Sequence, residues 1–97
     1  MSLDVFIACA SIAALPAHLP DDIKWQSHST GSFTTDNAAE NWLIEVWVLK
    51  PSELKSFALP AGTKSVVGIS IQGSAKGDDA AQKALDTVQS RCSGTVL

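Results

Sequence analysis

Residues 4–17, DVFIACASIAALPA, are nearly all apolar and end in small residues. The stretch reads either as a secretory signal or as the first strand and turn of a folded domain, and the choice decides whether a sheet begins here. A signal carries positive charge ahead of its apolar run. Here Asp4 precedes the run, and the first Lys or Arg is Lys24. The ending Ala13-Ala14-Leu15-Pro16-Ala17 only loosely resembles a cleavage site. The run also falls short of the roughly 20 apolar residues that span a bilayer. The expectation is therefore a strand over residues 3–10, with Val5, Ile7 and Cys9 on one face and Phe6 and Ala8 on the other. Apolar residues on both faces imply a central strand. Ser11 then reads as the N-cap of a short helical piece over residues 12–18, curtailed by Pro16.

Outward from this stretch, the strongest strand signal is residues 41–49, NWLIEVWVL, β-branched and aromatic without Gly or Pro. Alternation puts Trp42, Ile44, Val46 and Val48 on one face and Leu43, Glu45, Trp47 and Leu49 on the other. Residues 65–72 form a second strong strand, with Val67, Ile69 and Ile71 facing the core and Val66, Gly68, Ser70 and Gln72 facing away. Between the first strand and these two, Pro20-Asp21-Asp22 marks a turn and residues 23–27 a short strand bearing Ile23 and Trp25. Residues 27–41 are rich in Ser, Thr, Asn and Gly and read as a hairpin loop or an irregular edge. Pro51-Ser52-Glu53 opens a short helix whose apolar side is Leu54, Phe57 and Ala58. Residues 78–92 are the best helix, with Asp79 and Gln82 at capping-box spacing and Ala81, Ala84, Leu85, Val88 and Cys92 recurring on one side. Ser93-Gly94 ends it, and residues 95–97 begin a last short strand.

The order β-α-β-β-α-β-α-β predicts an α+β fold: a ferredoxin-like two-layer sandwich (β-α-β-β-α-β) extended by a C-terminal helix and short strand. The chain of 97 residues is read as a single domain, 1–97. Its 45% apolar and 18% charged content is that of a globular protein. The net charge is −3, and the seven basic residues are scattered singly. Without a basic cluster there is nothing to track a phosphate backbone or an anionic lipid surface, so neither nucleic acid nor a membrane is expected as partner. The mild acidity hints at most at a basic partner. Cys9 and Cys92 lie in apolar patterns without CxxC spacing and read as two reduced buried thiols, in keeping with a cytoplasmic protein.

No constellation specifies chemistry. His18, Asp21, Asp22 and His28 are ligand types, but their spacing matches no metal cage, and no metal is assigned. The segment GISIQGSAKGDD, residues 68–79, runs from strand through loop into helix yet lacks the GxxxxGK[ST] pattern, and Asp78 and Asp79 would repel a phosphate. No cofactor is expected. No Ser sits in GxSxG, and Asp4 and Glu45 read as solvated strand charges, so a non-enzyme is favoured.

What remains is the sheet face opposite the helices. It collects Phe6, Leu43, Trp47, Leu49 and Val66 around Glu45, Ser70 and Gln72, with Gly68 leaving a notch for a neighbouring aromatic. Such a face is too apolar for plain exposure. It is covered by the polar loop or the last helix, buried in a homodimer, or bound to a different protein or an apolar small molecule. The expectation is a small soluble protein-binding domain of the inhibitor, immunity or adaptor type, with Phe6, Leu43, Glu45, Trp47 and Gln72 touching another protein or a second copy. The alternative is a homodimeric small-molecule-binding regulatory domain, or a small enzyme, with its pocket at this face.

Overall fold

Ile7, Ile44, Val46, Val67 and Ile69, all essentially inaccessible to solvent, share one face of a single six-stranded sheet. The computed structural model describes residues 2–11 and 14–97. The strands are β1 (Ser2–Cys9), β2 (Gln26–Ser27), β3 (Phe33–Asn37), β4 (Trp42–Val48), β5 (Ser65–Gly73) and β6 (Gly94–Val96), with one α-helix, α1 (Asp78–Arg91), between the last two. The sheet order is β2-β3-β4-β5-β1-β6, and every neighbouring pair is antiparallel. The protein is thus an α+β domain built on an antiparallel sheet with a C-terminal helix.

The central position expected of β1 holds only for Ile7–Cys9, where β5 flanks it on one side and the short β6 on the other; its first residues pair with β5 alone. Because β5 and β6 both run antiparallel to β1, they are parallel to each other, and α1 joins them across β1 as a split β-α-β unit. That unit is as far as the ferredoxin-like expectation goes; the strand order departs from it. The described part of the expected first helix, Leu15 to His18, is a turn, and residues 12 and 13 lie outside the described residues. Pro16 lies within this turn, where it lacks the backbone donor a helix would use, and Pro20 follows it. Ser11 does not cap a helix here; its hydroxyl donates to the Cys92 carbonyl at 3.4 Å. The expected second helix is a 3-10 turn over Pro51–Ser56.

The polar stretch 27–41 also differs from expectation. It carries β3, paired along its whole length with β4, and the hairpin closes through Asn41 at a φ of 60°. Thr34 and Thr35 suit a pleated surface, but the flanking polar residues hide that signal. Only Gln26 and Ser27 of the expected strand 23–27 are extended. Trp25 instead packs against the core and donates its indole N–H to the Pro20 carbonyl at 3.3 Å.

α1 lays Ala81, Ala84 and Val88 onto the sheet, at the helical spacing read from the sequence. Its N-cap is Gly77, and the Asp79–Gln82 capping box does not form; Gln82 donates to Asp86 one turn on. Glycine is required there because a Cβ would sit 2.8 Å from Cγ of Trp42. The segment before β2 is strapped to the helix by Arg91, which donates to the carbonyls of Ala17 and Leu19 at 2.8 and 3.0 Å. Lys83 pairs with Asp22, and Arg91 with Asp21 at 3.7 Å.

Cys9 at the end of β1 and Cys92 just after α1 form a disulfide, their Cα atoms 5.4 Å apart and both residues fully buried. This corrects the expectation of two reduced thiols. Their separation of 83 residues leaves no spacing signal; only the docking of α1 beside β1 brings them together. Among the described residues, no helix is long and apolar enough to cross a membrane.

Candidate functional site: the sheet face away from the helix

Strand register places all five expected contact residues on the face that α1 leaves free. Across β1, β5 and β4, one row reads Phe6, Gly68, Trp47 and the next reads Asp4, Ser70, Glu45. Gln72 and Leu43 pair one row further on. Phe6 and Trp47 are therefore brought together, Glu45 lies in the row beside them, and Leu43 and Gln72 stand apart at the far end. There they line a separate depression of about 390 Å³ with Asp36, Asn41, Trp42 and Gly73.

The notch at Gly68 is filled as the sequence implies. A Cβ on Gly68 would lie 2.5 Å from the Trp47 ring, so the indole rests directly on the glycine backbone. Phe6 meets the indole edge-on, with centroids 6.3 Å apart and an interplanar angle of 89°. Phe57 adds a third ring, 5.0 Å from Phe6. It arrives from the 3-10 turn, which folds back over this face. Part of the face is therefore covered by the chain, though by neither the polar loop nor the last helix; beneath that end, Ala8, Leu49 and Val66 are buried.

The cover is incomplete. Phe6, Trp47 and Phe57 stay half-buried around a groove of about 450 Å³, which Leu49, Ser52, Glu53 and Ser56 also line. Glu53 is fixed at its edge by accepting the Lys50 backbone N–H at 3.0 Å. Periodicity assigns Phe57 to the apolar side of a short helix but gives that side no direction, so the participation of Phe57 and Glu53 was not legible. The apolar spacing of Leu54 and Phe57 after Pro51 was the only hint.

Two of the three tryptophans satisfy their indole N–H inside the chain: Trp25 on Pro20, and Trp42 on Glu40 at 3.2 Å. The Trp47 N–H has no acceptor among the described residues, and no buried side-chain donor lacks a partner, so it reaches solvent.

The other candidate groups are employed structurally. His18 accepts the Ala14 N–H at Nδ1 (3.0 Å), and His28 Nε2 meets the Thr34 hydroxyl at 2.8 Å. With Asp21 and Asp22 paired to Arg91 and Lys83, the four residues do not converge, and among the described residues no group of metal-ligating side chains does. At the start of α1, Gly77 is buried beneath Trp42, with Asp78 and Asp79 following it. Comparison with known proteins gives no match to a family model, to a curated protein or to a solved structure.

Proposed function

We propose that this protein is a binding domain without catalytic activity, of the inhibitor, immunity or adaptor type, which engages another protein through the Phe6–Trp47 face. The observation that carries this reading is Trp47: a half-buried indole on an open face, with its N–H directed to solvent while its two counterparts are satisfied internally. Aromatic anchors with one polar handle are enriched among interface hot spots, where truncation costs about 2 kcal/mol or more of binding.

Trp47→Ala tests it. A fully buried Trp cut to Ala costs ~3–5 kcal/mol of folding. Trp47 keeps part of its surface exposed, so its truncation should cost less than that, and the variant stays folded and loses its partner. A collapse of the isolated domain would make Trp47 interior and remove the reading. Sedimentation of the wild type separates the homodimeric alternative, which requires a tight dimer that Trp47→Ala dissociates.

For location, the Cys9–Cys92 disulfide favours oxidising surroundings over the expected cytoplasm. Thiol alkylation of protein isolated from its own cells tests this: two readily alkylated thiols would restore the cytoplasmic expectation.

A further inference from the structure

We propose that the groove beside Trp47 receives an arginine side chain from a basic segment of the partner protein. The aliphatic stem lies on Phe6 and Phe57, the guanidinium stacks on Trp47, and Glu53 at the groove edge holds its charge. The proposal rests on the reading of this face as a binding surface and names what the surface binds.

The first ground is how charge is sorted. None of the seven Lys and Arg residues falls in any of the six strands. The strands do carry Asp4, Asp36 and Glu45, and the register puts all three on the face away from α1. None of the three carboxylates has a hydrogen-bond or ion-pair partner among the described residues. Both ion pairs instead join α1 to Asp21 and Asp22. Glu53 adds a fourth carboxylate at the groove edge, and because one of its oxygens takes the Lys50 N–H, the other is left for a ligand. Lys50 precedes the same turn and Lys55 lies within it; both are exposed and, like Asp4, Asp36 and Glu45, do not line the groove.

This charge pattern selects the occupant. A second copy docked by the same face would set Asp4, Asp36 and Glu45 against their equivalents in a self-complementary interface, where like charges repel. An acidic partner meets the same penalty. A cationic partner gains from every one of these groups.

The shape of the groove selects arginine. Three aromatic rings and Leu49 form one part of its lining and Ser52, Ser56 and the Glu53 carboxylate the other, which matches a side chain with an apolar stem and a charged head. A planar guanidinium also stacks on an indole, as a compact ammonium does not. The free Trp47 N–H then requires an acceptor, which a backbone carbonyl of a polypeptide supplies and a free cation does not.

The test is an NMR titration of the 15N-labelled full chain with the peptide acetyl-Arg-Gly-Arg-Gly-Arg-amide, and with the same peptide carrying citrulline, the neutral isostere, for arginine. The Trp47 indole N–H, assigned by its disappearance in Trp47→Phe, should shift with the arginine peptide. Glu53→Gln should weaken binding severalfold, as expected for the loss of one charge-assisted contact. The amide introduced by Glu53→Gln retains an oxygen for the Lys50 N–H, and preserved spectral dispersion shows that the variant is folded. Asp78→Asn with Asp79→Asn, on the other side of the sheet, should leave affinity unchanged. If the citrulline peptide binds the groove equally well, the cationic occupant is overturned and the binding face stands. If the shifts gather around Asp78 and Asp79 and neither peptide moves the Trp47 indole, both readings fall.

Discussion

Reducing the Cys9–Cys92 bond opens a loop of 83 residues, most of the chain. In the chain-entropy account, a cross-link closing a loop of that length constrains the unfolded state by about 4.5 kcal/mol at 25 °C. Native disulfides more often deliver about 2–4 kcal/mol, because the reduced chain keeps some structure. A domain of this size has a total stability of about 5–15 kcal/mol, so the bond supplies a large part of it. With roughly 4–8 °C of Tm per kcal/mol in small domains, the reduced protein should melt about 10–25 °C below the oxidised one. Both sulfurs are fully buried, so reduction of the native protein should also be slow without denaturant. Urea denaturation of the oxidised and reduced wild type is the cleaner assay, since the folded packing is nearly the same in both. Cys9→Ala with Cys92→Ala should then resemble the reduced form, with a small further loss from the missing sulfur contacts. Alanine is the better substitute here than serine, whose hydroxyl would be buried. Equal midpoints with and without reductant, together with two alkylatable thiols in the purified protein, would refute the assignment and restore the reduced pair.

Ile44→Ala should cost ~2–5 kcal/mol, because the residue is fully buried in the central part of the sheet, and chemical denaturation measures it. His28→Ala should stay within about 1 kcal/mol, since it loses one exposed hydrogen bond to Thr34; a larger loss in the same assay would give the β2–β3 turn a structural role. Gly77→Ala should destabilise by about 1–3 kcal/mol, because the new methyl meets the root of the Trp42 side chain, which cannot swing aside. Gly68→Ala meets only the far end of the Trp47 indole, so its main effect should be a red shift of Trp47 emission as the ring lifts, read against a Trp25→Phe, Trp42→Phe background.

The sequence alone determined what periodicity encodes. Alternation over residues 41–49 and 65–72 assigned the buried face of Ile44, Val46, Val67 and Ile69, and helical spacing assigned Ala81, Ala84 and Val88; all are buried. The same alternation put Phe6, Glu45 and Trp47 together on the other face, and Gly68 announced the place where the indole lies. These features depend on residues a few positions apart, whose side-chain directions follow from the backbone repeat. The strand order, the β3 hairpin hidden in polar residues, the Cys9–Cys92 bond and the folding of Phe57 onto Phe6 were decided only by tertiary structure. Each joins segments whose local sequence does not name its partner. The sheet order depends on which pairing buries the most apolar surface across the whole chain. The disulfide depends on where α1 docks, and the 3-10 turn has an apolar side that takes its direction from the open end of the sheet it finds.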